Sequence, residues 1–145
     1  MRIYTHTISI DRPRETVFDF FMDLAQAPRW RSYVKAMTPL EPGPLRAGSR
    51  IEVDMDLMGE AYSFEMTVLE CERPTRWLHR TDEVDFNGFV EYRFDAESAG
   101  TRVTMTAHAT PVTLYGWAAI PLLILRRSSM YREQLPRLKH VLEER

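Results

Sequence analysis

From Ile51 to Ala109 apolar residues recur at every second position, and this rhythm restricts the possible folds more than any other feature. Ile51, Val53, Met55 and Leu57 alternate with Glu52, Asp54 and Asp56. Tyr62, Phe64, Met66 and Val68 alternate with Ser63, Glu65 and Thr67. Val90, Tyr92 and Phe94 follow Gly88 at the same spacing, and Val103, Met105, Ala107 and Ala109 make a further row. Successive side chains of a strand point to opposite faces, so each row predicts a strand with one buried face and one wet face. Arg76 to Val84 reads as another strand, a short one starts near Lys35, and Tyr4, His6, Ile8 and Ile10 open the chain in the same way. Gly59, Pro74, Gly100 and the pair Asn87-Gly88 punctuate the rows, and Asn-Gly is a strong hairpin signal. Neighbouring strands joined by short turns predict an antiparallel sheet.

Two stretches follow a different period. After Asp11-Arg12-Pro13, the residues Val17, Phe18, Phe20, Phe21 and Leu24 recur at helical spacing, with Pro13 in the first turn where its missing N–H costs nothing. A second short helix is expected over Ala25 to Tyr33, with Trp30 turned inward. Beyond Pro111, Trp117, Ile120, Ile124, Tyr131, Leu135, Leu138 and Leu142 fall on one helical face, and Pro121 and Pro136 should kink or interrupt that helix. Segregated helices give an α+β class. The expectation is one domain over residues 1–145: a curved antiparallel sheet of about six or seven strands gripping a long C-terminal helix.

Composition narrows the function. A net charge of −2 with 28% charged residues is too balanced to suggest a nucleic-acid partner. Cys71 is the only cysteine, so no intrachain disulfide and no cysteine metal cluster can form. The N-terminus lacks the apolar core of a signal peptide, and a cytoplasmic location is expected. The longest near-apolar run, Val112 to Leu125, is shorter than the roughly 20 residues of a membrane-spanning helix. No Gly-rich phosphate loop, Ser-His-Asp order or zinc spacing is present, and neither a cofactor nor a metal is expected.

The ordered set "ISIDRPRETVFDFFMDL" (Ile8 to Leu24), Trp30, "GSRIEV" (Gly48 to Val53), "LECERPTRWLHRT" (Leu69 to Thr81), "GTRVTMTA" (Gly100 to Ala107) and "LPRLKHVLEER" (Leu135 to Arg145) resembles the START-like helix-grip superfamily. Within it, the chain is similar to the polyketide cyclase/dehydrase-like group. The resemblance spans nearly the whole chain. It implies a cavity between sheet and C-terminal helix that takes apolar or amphipathic molecules. It does not imply catalysis, because the group includes cyclases, lipid and quinone carriers, and shares no catalytic signature.

The inward rows supply the expected lining: Met55, Tyr62, Phe64, Met66, Trp77, His79, Tyr92, Met105, Trp117, Ile120, Ile124 and Tyr131. Methionine adapts to irregular shapes, and aromatics combine area with a polar tip. His79 and Tyr92 are the candidate proton-moving residues, since imidazole titrates near neutrality. The candidate partners of His79, Thr81 on its own strand face and Tyr92 on the neighbouring strand, are not carboxylates, which favours a hydrogen-bonded ring over a catalytic one. His6 is expected to pack beside Ile8, His108 to face solvent, and His140 to sit at a helix C-terminus. Glu52, Asp54 and Asp56 form a solvated strand face. Leu114 to Leu125 is apolar on all sides, and Arg126-Arg127 follow, so this stretch is expected to be a homodimer contact, a ligand gate or a membrane-surface contact.

The resulting expectation is a binder of a small hydrophobic ligand such as a lipid, polyketide or quinone. One alternative is a polyketide cyclase or dehydratase using a cavity His or Tyr. Another is a membrane-surface lipid carrier.

Overall fold

A computed structural model describes residues 1–57 and 59–144. Seven strands form one antiparallel sheet: β1 (Arg2–Ile10), β2 (Val34–Pro39), β3 (Arg50–Leu57), β4 (Glu60–Glu72), β5 (Arg76–Asp82), β6 (Phe86–Glu97) and β7 (Gly100–Pro111). Their order is β1-β7-β6-β5-β4-β3-β2, so each strand from β2 to β6 pairs with its successor and β1 pairs with β7. The chain must therefore cross from one sheet edge to the other between β1 and β2. It does so through α1 (Arg14–Met22), a short 3-10 turn (Leu24–Gln26) and α2 (Ala27–Trp30).

The predicted C-terminal helix is segmented into α3 (Leu114–Ala118), α4 (Ile120–Tyr131) and α5 (Gln134–Glu143). Pro121 is the second residue of α4 and Pro136 the third of α5. At these positions the N–H has no partner within the helix, so the prolines begin new helices instead of bending one. Together α4 and α5 form the long helix that the sheet wraps. α5 packs on β1 and α2, and Leu135 and Leu138 are buried in the main core.

Aromatic rings fill one half of the grip. Phe21 of α1 lies 4.6 Å from the ring of Tyr92, 5.2 Å from Phe94, 5.4 Å from Trp77 and 5.5 Å from Trp30, centroid to centroid. Such tilted and edge-on pairs add to the area they bury.

A bulge at Leu69 changes which residues point inward along β4. Val68 pairs with His79, but Glu70 pairs with Leu78. The inward row thus passes from Val68 to Cys71, while exposed Leu69 takes up the extra position. The β5–β6 hairpin corrects a sequence expectation. Its turn lies at residues 83–85, where the Glu83 N–H donates to the Phe86 carbonyl at 2.8 Å, and Asn87-Gly88 pair with Asp82 and Thr81 inside the ladder. Only this register sets Trp77 opposite Tyr92 and His79 opposite Val90 on the buried face, and burial overrides the local turn preference.

Gly100 opens β7 against the end of β1. A Cβ there would stand 2.1 Å from the Ile10 carbonyl oxygen. Gly100→Ala should cost about 1–3 kcal/mol, read as a lower urea midpoint with an unchanged slope. An unchanged midpoint would show that the strand end yields freely.

Candidate ligand-binding site

Between the sheet and α4 lies a cavity of about 110 Å³. For scale, an engineered apolar cavity of about 150 Å³ holds benzene. The alternation of four strands delivers its walls: Val53 and Met55 from β3, Tyr62, Phe64 and Met66 from β4, His79 and Thr81 from β5, and Val90 and Tyr92 from β6. Val34 and Met37 of β2 close one side, and Arg127, Met130 and Tyr131 of α4 cover the top. Tyr62, 43% exposed, stands at the outer end with Asp82 and Glu83. Arg127 reaches over this end to pair with Glu83 at 2.5 Å.

The inner end is polar and buried. Arg31, Ser32, His79, Tyr92 and Gln134 are all buried there. The Tyr92 hydroxyl donates to Gln134 Oε1 at 2.8 Å and receives a long contact from an Arg31 guanidinium nitrogen at 3.5 Å. Trp77 Nε1–H donates to His79 Nδ1 at 2.9 Å. That bond occupies Nδ1 as an acceptor, so the neutral ring carries its proton on Nε2. Burial, helped by the nearby Arg31 charge, pushes the His79 pKa down to about 3. Burial also raises the Tyr92 phenol above its ordinary value. At neutral pH both groups are therefore uncharged. His79 can donate or accept a hydrogen bond but cannot offer an imidazolium proton, and a base this weak is far from the operating pH.

The turn that carries Arg31 is strained. Tyr33, two residues on, adopts φ 67°, a left-handed conformation that costs a non-glycine residue on the order of 1 kcal/mol or more. The Tyr33 carbonyl is held by the Asp56 N–H at 2.9 Å. The strain accompanies a chain reversal that turns Arg31 and Ser32 into the interior.

Of the residues expected at the cavity, Met55, Tyr62, Phe64, Met66, His79, Tyr92 and Tyr131 line it. Trp77, Met105, Trp117, Ile120 and Ile124 do not. Trp77 faces the ring of Phe21, which fills that part of the grip, and reaches the site through its hydrogen bond to His79. Met105 is on β7, a strand that contributes nothing to the lining, and is sealed in the main core. Trp117 is 58% exposed, because α3 turns Gly116 inward. A Cβ on Gly116 would stand 2.4 Å from the Asp85 carbonyl oxygen, so this close approach of α3 to the β5–β6 turn sets its orientation. Ile120 and Ile124 pack with Phe86 and Ala109 in a separate small cluster. Arg31, Gln134 and Arg127 belong to the site but carry no periodic signal. Arg31 sits in an irregular turn, and both Gln134 and Arg127 look like exposed helix residues in a row of charges.

The other candidates lie elsewhere. His6 accompanies Ile8 on β1, His108 is exposed, and His140 pairs with Glu144 at 2.8 Å. Glu52 is exposed, Asp56 pairs with Lys35 at 3.6 Å, and Asp54 accepts from Ser63. Among the described residues no group of three or more His, Cys, Asp or Glu could hold a metal. No described helix is long and apolar enough to cross a membrane. Val112, Leu114, Tyr115, Trp117, Leu122 and Leu125 stand exposed on and around α3 and early α4.

Comparison with known proteins adds three findings. A family model described as "Polyketide cyclase / dehydrase and lipid transport" matches residues 1–143. No curated protein sequence matches the chain. Solved structures share its fold at low identity. One is the di-domain ARO/CYC protein BexL from the BE-7585A biosynthetic pathway, at TM-score 0.78 and 20% identity over 98% of this chain and 50% of that one. A Nitrosomonas europaea protein gives 0.77 and 12% over 97% of this chain and 94% of its own. A Thermus thermophilus protein gives 0.74 and 19% over 94% and 93%. This chain thus spans about half the length of BexL and nearly all of the other two.

Proposed function

The chain belongs to the polyketide cyclase/dehydrase and lipid transport family, and from that premise we propose that it binds a small amphipathic molecule in the cavity under α4 without turning it over by His79 acid–base chemistry. The observation that carries this reading is the division of the cavity. Its walls are methionine, valine and aromatic rings, and its polar groups gather at one buried end. That is the pattern of a pocket in which apolar burial supplies affinity and a few polar groups set orientation. The alternative, an enzyme that cyclises or dehydrates a polyketide-like chain, needs a proton donor and acceptor matched to the working pH. His79, uncharged and tied to Trp77, supports binding instead.

The test offers the purified protein a compact aromatic ligand, propylbenzene, and a panel of β-keto substrates. Propylbenzene at about a hundred times its dissociation constant should add about 2.7 kcal/mol of stability, seen as a higher Tm, with no substrate consumed. Turnover that falls at least about a hundredfold in His79→Gln would instead establish the enzyme.

A further inference from the structure

We propose that the ligand of this cavity is an organic anion, an apolar body ending in a carboxylate, and that Arg31 is the residue that anchors it. The inference rests on the binding reading above and adds the charge of the ligand.

Arg31 is 6% exposed and lines the inner end of the cavity. A guanidinium carries five N–H donors and a permanent positive charge. Placing such a charge in the interior costs several kcal/mol unless an anion and hydrogen bonds compensate it. Here no carboxylate among the described residues forms an ion pair with it. Its Nε finds no hydrogen-bond partner, and its one polar contact, to the Tyr92 hydroxyl, lies at the 3.5 Å limit of such a bond. The remaining neighbours are ring faces: Trp30 at 4.4 Å, Phe21 at 5.3 Å and Tyr92 at 5.6 Å from the guanidinium carbon. Aromatic faces attract a cation, yet they leave its donors empty. A carboxylate is the group that fills them, because its two oxygens match the planar fork in a bidentate pair.

The surroundings suit the same group. The Tyr92 hydroxyl already gives its proton to Gln134 Oε1, and this leaves the Gln134 amide N–H groups to act as donors. His79, with Nδ1 occupied by Trp77, holds its N–H on Nε2. The lining of the buried polar end is thus rich in donors: the acids of the lining, Asp82 and Glu83, stand at the outer end, and the Glu133 carboxylate, which accepts from Ser32 at 3.4 Å, lies outside the lining. A ligand entering carboxylate first meets matching charge at the inner end and apolar walls along its body.

The experiment compares para-propylbenzoate with para-propylbenzyl alcohol by calorimetry at neutral pH. The unaltered protein should bind the carboxylate at least about tenfold more tightly. Arg31→Met should weaken the carboxylate far more than the alcohol and so abolish that preference, and its ligand-free Tm should hold or rise because an uncompensated buried charge has gone. If the variant does not fold, the Arg31 Nε–H resonance of the unaltered protein answers the same question, shifting with the carboxylate and not with the alcohol. Equal affinities in the unaltered protein, or a preference that survives Arg31→Met, would overturn the anchor and leave the binding reading standing. Binding of neither probe would overturn both.

Discussion

Between pH 7 and pH 5 the protein should lose about 2 kcal/mol of folding stability through one residue, and His79→Gln should remove most of that loss. In the unfolded chain a histidine takes up a proton below about pH 6.5. In the folded protein the buried His79 resists protonation down to about pH 3. Its folded-state pKa is depressed, and the charged form is the protonated one. The unfolded state therefore binds more protons between these values, and stability falls as pH falls through this window. Asp19, Glu41 and Glu143 also have lowered pKa values, through hydrogen bonds from Arg73, the Arg50 backbone and the Asp11 backbone respectively. Their contributions are lost only at more acid pH, as carboxylates begin to protonate near about 4. The upper part of the acid limb thus reports on His79. Glutamine leaves an acceptor for Trp77 Nε1–H and cannot titrate. Urea midpoints at half-unit pH steps provide the measurement, and parallel curves for the two proteins would place the titration at another group.

Met105→Arg should prevent folding, whereas Val53→Phe should leave a folded protein that binds propylbenzene at least about tenfold more weakly. Both positions are buried and both belong to inward rows. They differ in what they face. Met105 lies between Tyr92 on β6 and His6 on β1, closed in on all sides, where a guanidinium would have neither water nor a counter-charge. Val53 borders the cavity, so a larger apolar side chain there expands into existing space. The far-ultraviolet spectrum and urea midpoint of each variant check the first half, and calorimetric titration checks the second. A folded Met105→Arg protein that has lost only ligand binding would move Met105 into the site.

The strands were legible because each carries a period-two row, and inward members of those rows, such as Met55, Phe64, His79 and Tyr92, do reach the cavity. The same signal misplaced Trp77 and Met105. Period two tells which face a side chain occupies, but not whether a ring from another element, here Phe21, occupies the space above it. Pro121 and Pro136 announce the interruption of the C-terminal helix, but the apolar face alone does not show how the pieces turn, so Trp117 and Ile120 read as one surface that α3 and α4 do not present. The polar end of the site was illegible for a different reason. Arg31 is buried in an irregular turn that includes the left-handed backbone of Tyr33, and no composition or spacing in Arg31-Ser32-Tyr33 announces that burial.

Four of the cavity's lining residues are methionines: Met37, Met55, Met66 and Met130. An unbranched thioether passes between rotamers that differ in reach and thickness at little energetic cost. A wall of isoleucines would act as a template and accept one silhouette. This wall behaves more like upholstery: the resting volume is what the side chains leave when nothing presses on them, and guests of different girth meet nearly equal resistance. Shape then selects weakly here, and the burden of telling one guest from another falls on the few rigid polar atoms at the inner end.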